Sequence, residues 1–149
     1  MAPVIIILGI ILADQAVKLL VRASLELGES IPVIQDMFNI TYIRNTGTAF
    51  SMFENNLWIT LGLTTVLIVV CLLFMLCEWR KGSKFLAISL SMVLGGGLAN
   101  MIDRVCIGCV TDMFAFRSFA VFNVADIFVC IGCALAIVAI ILGDRKQAK

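Results

Sequence analysis

The stretch LWITLGLTTVLIVVCLLFMLC, residues 57–77, contains 21 residues and no charged side chain. A helix of that length rises about 30 Å at roughly 1.5 Å per residue, the thickness of bilayer hydrocarbon. Three further apolar runs flank it, at about residues 4–21, 85–103 and 119–143. The chain is 149 residues long, 62% hydrophobic and only 14% charged, with a mean hydropathy of +1.10. That leaves too few polar side chains to cover a core of four buried helices in water. The expected fold is a mainly α membrane protein with four transmembrane helices. The first run is not a good cleaved signal peptide: it lacks a basic n-region, and Asp14-Gln15 stands where small cleavage-site residues belong. It reads as a retained helix, and residues 1–149 read as a single integral membrane domain.

Basic residues near the helix ends set the expected orientation. The linker Glu78–Lys84 and the tail from Asp144 carry Arg80, Lys81, Lys84, Arg145, Lys146 and Lys149 against Glu78 and Asp144. Residues 22–56 and 104–118 carry Arg22, Arg44, Arg104 and Arg117 against Glu26, Glu29, Asp36, Glu54 and Asp112. The first side is therefore expected to be cytoplasmic, with both termini. Between the first two helices, at about residues 24–53, Ser30-Ile31-Pro32-Val33-Ile34 and the alternating Phe38-Asn39-Ile40-Thr41-Tyr42 predict a small extracytoplasmic β-hairpin or sheet. Asn45-Thr46-Gly47 predicts a turn, after which Ala49 to Phe53 leads into the second helix.

Polar residues interrupt the apolar runs in one layer. Asp14 and Lys18 lie one turn apart in the first run, close enough to pair. Asn100 and Asp103 end the third, while Asn123 and Asp126 fall near the start of the fourth. With that helix beginning at 119, Asp126 is expected about 10 Å deep, and the i,i+3 spacing sets each Asn over the same face as its Asp. A charged side chain in hydrocarbon costs roughly 2.5–3.5 kcal/mol, so such positions are functional candidates. The chain has no histidine, so proton chemistry must run on carboxylates. An intramembrane aspartic hydrolase fits. Asp126 has no cation of its own, but residue chemistry alone leaves its partner open between Asp103 and Asp112. Asp103 is the weaker candidate, because neighbouring Arg104 would pair with it and hold it ionised. Gly95-Gly96-Gly97 lets another helix approach the third closely.

Six cysteines include two Cys-Ile-Gly-Cys repeats, Cys106–Cys109 and Cys130–Cys133. The spacing is that of a paired zinc site or a thiol redox motif. Cys130 and Cys133 lie inside an apolar helix, and Cys71 and Cys77 inside another, so cysteine is expected to serve as a small apolar filler. Cys106 and Cys109 are the pair that a disulfide would use.

Taken together, the motifs carry a family resemblance. Asp14-Gln15-x-x-Lys18, Arg44-Asn45-Thr46-Gly47-Thr48-Ala49-Phe50-Ser51, Gly96-Gly97-x-x-Asn100-x-x-Asp103-Arg104, Gly108-x-Val110-x-Asp112 and Phe122-Asn123-Val124-Ala125-Asp126 occur in order. On these the chain resembles prolipoprotein signal peptidase (signal peptidase II) over essentially its whole length. Met113 stands where the family usually has Phe, and Phe119-Ala120 where Trp-Pro is common. The resemblance implies a bacterial inner-membrane endopeptidase that removes signal peptides from diacylglyceryl-modified prolipoproteins, cutting before the lipidated Cys. It implies Asp112 and Asp126 as the catalytic dyad. Asn45, Gly47, Asn100, Arg104 and Asn123 would line the site, with Asp14, Lys18 and Asp103 as supports. Its partners would be lipid-modified precursors and membrane lipids, with no nucleic acid; a monomer is expected.

The implied mechanism needs neither metal nor organic cofactor. Two carboxylates in a poorly solvated site share one proton; the ionised member activates water and its partner hydrogen-bonds the scissile carbonyl. Two rival classes make different demands. A four-helix membrane thiol oxidoreductase would depend on Cys106 and Cys109. A proton-coupled transporter would depend on a proton gradient, and has little use for the outer hairpin.

Overall fold

The computed structural model describes residues 1–47, 56–117 and 121–147, with side chains described to Gly143 in the last segment. Along the chain these form α1 (Ala2–Ser24), β1 (Ser30–Ile34), β2 (Phe38–Asn45), α2 (Leu57–Arg80), α3 (Lys84–Ile107), β3 (Val110–Phe116), β4 (Val121–Phe122) and α4 (Val124–Gln147). All four helices are long and apolar enough to cross a membrane, as the hydropathy runs require. Pro3 occupies the first turn of α1, where its missing N–H is harmless. Asn56 caps α2 by accepting a hydrogen bond from the Ile59 amide at 3.2 Å. Gly108, at φ 74°, ends α3 in the left-handed conformation and returns the chain towards the bundle.

α3 is the central helix and packs against α1, α2 and α4. It carries a buried face from Ala87 to Asp103 that includes Ser89, Ser91, Leu94, Gly95, Gly96, Ala99 and Asn100. α2 instead turns Leu63, Val66, Leu67, Val70 and Leu73 outward, and α1 and α4 expose Leu12, Leu19, Ile137 and Ile141. Each such side chain would forfeit roughly 1.5–3 kcal/mol of burial in water, whereas hydrocarbon accommodates it at no cost. Trp58 and Trp79 mark the two ends of α2, about 30 Å apart along the axis, at the depths where indole rings prefer the membrane interfaces. The α3–α4 contact is close because Gly96 has no side chain. A Cβ there would meet Val129 Cγ2 at 2.6 Å and run into the Ala125 carbonyl.

The sheet is larger than the expected hairpin. β1 and β2 pair as anticipated, with Ser30 opposite Thr41 and Ile31 opposite Ile40. β2 continues to Asn45 and pairs antiparallel with β3, and β4 completes the order β1-β2-β3-β4. Both the α1–α2 and α3–α4 connections therefore contribute strands. Strand alternation places Met113 fully buried against Val21, Leu25 and Tyr42, while Phe114 joins Phe38 and Phe122 on the opposite face. Methionine thus fills the buried position, with Phe114 packed at the edge of the same cluster.

Two expectations need correction. The fourth helix, expected from residue 119, begins at Val124, because Val121 and Phe122 pair with Ala115 and Phe114 as a strand. Asp126 therefore lies in the first turn of α4 and not 10 Å inside it. The third helix runs beyond 103 to Ile107, so Arg104 and Cys106 are helical. The lead-in from Ala49 to Phe53, the Thr48-Ala49-Phe50-Ser51 part of its motif and the Phe119-Ala120 variation lie outside the described residues.

Candidate active site

Where the helices meet the sheet, four aspartates gather in one layer. The first pair is ionic. Lys18 has no solvent exposure, and its Nζ lies 2.7 Å from Asp14 Oδ2 and 3.1 Å from Asp103 Oδ2. Arg22, a turn further along α1, reaches Asp103 Oδ1 at 3.3 Å, and Gln15 donates to the same oxygen at 3.1 Å. Both carboxylates also accept from backbone amides. Asp14 Oδ1 accepts from the Ala125 amide at 2.9 Å, pinning the first turn of α4, and Asp103 Oδ2 accepts from the Thr111 amide at 3.0 Å, pinning β3. Two carboxylates and two cations thus tie α1 and α3 to both elements that follow.

Asp103 does not pair with Arg104, contrary to expectation. Adjacent helical residues point about 100° apart, which sends Asp103 to α1 and Arg104 elsewhere. The Arg104 guanidinium donates to the Gly47 carbonyl at 3.2 Å, and Asp103 pairs with Lys18 and Arg22 instead.

The second pair, Asp112 and Asp126, has no cation within ion-pair distance among the described residues. Amides serve both carboxylates. Asn123 Nδ2 donates to Asp112 Oδ1 at 2.7 Å, and Asn45 Nδ2 donates to Asp112 Oδ2 at 3.0 Å. Asn100 Nδ2 donates to Asp126 Oδ1 at 2.8 Å, and the Asn123 amide N–H donates to Asp126 Oδ2 at 3.2 Å. Asn123 Oδ1 in turn accepts from the Asp126 amide at 3.0 Å. Asn123 and Asp126 are therefore N-cap and third residue of α4, bonded reciprocally as in a capping box. This replaces the expectation that they share a helix face.

The orientation of Asn100 is determined by its neighbours. Its Oδ1 accepts from Lys18 at 2.9 Å and from Asn123 at 3.1 Å, so its NH2 must face Asp126. Asn45 is fixed the same way, its Oδ1 accepting from the Gly47 amide at 3.0 Å as a local Asx turn.

Asp112 is 3% exposed, while Asp126 is half-buried at the edge of the cluster. Burial pushes the Asp112 carboxyl up to about 6; the Asn45 hydrogen bond opposes this and the neighbouring Asp126 charge reinforces it. Asp112 thus titrates near neutrality, which suits an acid–base group.

A family model described as signal peptidase (SPase) II matches residues 6–142. The chain belongs to the signal peptidase II family. It is 41% identical to a lipoprotein signal peptidase of Halothermothrix orenii over 89% of this chain and 90% of that protein. It is 40% identical to one of Lactococcus lactis subsp. cremoris over 96% and 94%. Among solved structures, one described as a bacterial membrane enzyme superposes with a TM-score of 0.83 at 27% identity, covering 99% of this chain and 91% of that one. A second reaches 0.77. The chain is accordingly a multi-pass bacterial membrane peptidase of the signal peptidase II family.

All ten residues singled out in the sequence fall in this one cluster: Asp14, Lys18, Asn45, Gly47, Asn100, Asp103, Arg104, Asp112, Asn123 and Asp126. Two members were not foreseen as parts of it. Gln15 bridges to Asp103 and to the Ala99 carbonyl, and Arg22 joins Asp103. Their signal was available, since Arg22 follows Lys18 by four residues and shares its helix face. All six cysteines are free thiols; Cys130 and Cys133 are exposed on α4, and Cys109 is buried.

Proposed function

We propose that Asp112 and Asp126 form the catalytic dyad of a signal peptidase II that removes signal peptides from diacylglyceryl-modified prolipoproteins, cutting before the lipidated Cys. The observation that carries this reading is the Asn123 bridge: one residue hydrogen-bonds both carboxylates at 2.7 and 3.2 Å, with no cation on either among the described residues. Carboxylates held by neutral amides keep a proton to exchange.

In the proposed mechanism Asp126 is the base. It lies at the N-terminus of α4, and it is the more accessible of the two. Asp112, raised towards neutrality by burial, holds the shared proton and donates it to the scissile carbonyl oxygen. Asp126 takes a proton from water; hydroxide adds to the carbonyl carbon, giving a gem-diol. The C–N bond then breaks as the amine leaving group takes a proton from the dyad, and the original protonation returns with the carboxylic acid product. Lys18 is a positioning residue, because it orients the Asn100 amide that binds Asp126. Arg104, through the Gly47 carbonyl, holds the Asn45 turn against Asp112. The proposed orientation places both termini in the cytoplasm and the dyad near the outer face, where a substrate's acyl chains can remain in lipid.

The test is incubation of purified protein in detergent with a diacylglyceryl-modified precursor, followed by gel separation of the products. Cleavage by the unaltered enzyme, lost in both Asp112→Asn and Asp126→Asn, is expected. Retention of more than a small fraction of turnover in either variant removes that aspartate from the dyad.

A further inference from the structure

A groove of about 610 Å³ lies far from the aspartates. It opens between the α2–α3 turn and the end of α4, roughly 30 Å along α3 from Asp103. One wall is apolar: Phe74 from α2, Leu86 from α3, and Ala139, Ile140 and Leu142 from α4. The rim at the turn is polar, with Ser83, Lys84 and Glu78. Glu78 is only 8% exposed, and its carboxylate is already neutralised by Lys81 at 2.8 Å. Lys84 on the rim and Arg80 beside it have no ion-pair partner among the described residues.

An apolar trough that runs along two membrane-length helices and ends in a cationic rim matches one class of ligand. We propose that this groove seats an anionic phospholipid, with one acyl chain between α2 and α4 and the phosphate at Lys84. The apolar wall supplies no preference for one headgroup over another; the charge supplies it. Basic pockets between helices near a membrane surface gain about 1 kcal/mol per Lys or Arg facing an anionic lipid, so removing one such charge costs roughly fivefold in affinity. Zwitterionic lipids carry a phosphate too, but their ammonium would be set among these unpaired cations. None of the groove residues belongs to the aspartate cluster, so this seat exists whatever reaction the carboxylates perform.

The experiment uses the full chain purified in detergent, titrated with phosphatidylglycerol, phosphatidylcholine or inorganic phosphate, and read by thermal unfolding and by lipid retained in native mass spectra. Phosphatidylglycerol should raise the melting temperature and remain bound, phosphatidylcholine should do so far less, and inorganic phosphate should have no effect. Lys84→Ala should weaken the phosphatidylglycerol effect about fivefold. Ala139→Phe, which fills the trough and leaves every charge in place, should abolish it. Cleavage of a detergent-soluble precursor should be unchanged in both variants. Equal responses to the two lipids would reduce the groove to ordinary lipid contact and overturn the proposal. A response to phosphate alone, or a phosphatidylglycerol response unaltered in both variants, would overturn it equally.

Discussion

Four aspartates share one layer of this protein, and their partners divide them into two kinds. Asp14 and Asp103 are held by Lys18 and Arg22. Asp112 and Asp126 are held by Asn45, Asn100 and Asn123. A cation at 3 Å stabilises the ionised carboxylate alone and fixes its state. An amide orients a carboxylate while adding no net charge, so the group can still gain and lose a proton. The first pair is therefore held by ions and the second by neutral amides, the difference on which the proposed dyad rests, although all four carry the same side chain in the same layer. Asn100 and the Ala125 and Thr111 amides connect the halves, so the ionic pair places the titrating one.

The largest effect should come from breaking the titrating half. Asp112→Asn or Asp126→Asn should lower cleavage by roughly 10²–10⁴-fold or more, as expected for loss of a general acid or base, while the variants still insert and fold. Turnover measured beside far-UV circular dichroism separates the two quantities.

Breaking the ionic half should do the opposite. Lys18→Met leaves Asp14 and Asp103 buried without their shared cation, a change worth roughly 3–5 kcal/mol of stability. Thermal unfolding in detergent should show that loss, and the variant's residual cleavage should fall as well, because Asn100 is freed to turn. Undiminished stability in Lys18→Met would mean that the two halves are not distinct in kind.

The pH dependence sharpens the comparison. The kcat/KM profile should be bell-shaped, with its alkaline limb near pH 6 as free-enzyme Asp112 loses its proton. The stability sign follows from the same shift. Because the folded carboxyl is raised above 3.8 to about 6, its contribution is fully present below pH 3.8 and lost as pH rises through 6. That contribution is on the order of 2–3 kcal/mol, and Asp112→Asn should remove this pH dependence. A rate that climbs monotonically into alkaline pH would instead point to a thiolate or Lys18 as the base.

The smallest effect concerns Arg104, which belongs to neither half. Arg104→Lys keeps the charge but loses the planar donor that reaches the Gly47 carbonyl. Turnover should fall severalfold with the melting temperature unchanged. Normal turnover would reduce Arg104 to an interfacial anchor.

The sequence by itself determined the four spans, because hydropathy is a property of consecutive residues and a 21-residue uncharged run has few alternatives. It also determined the Asp14–Lys18 pair, since i,i+4 neighbours meet on any helix. Strand alternation revealed β1 and the start of β2 for the same local reason. The tertiary structure alone decided which cation each carboxylate receives. Asp103 could be assigned to adjacent Arg104 until helix packing brought Lys18 and Arg22 across from α1. Only the antiparallel pairing of β2 with β3 carries Asn45 to Asp112, 67 residues away. The start of α4 was likewise hidden, because Val121 and Phe122 are apolar enough to continue a helix and become a strand only when β3 lies beside them. Local periodicity encodes what a segment is; partner choice depends on distances that exist only after the segments have packed.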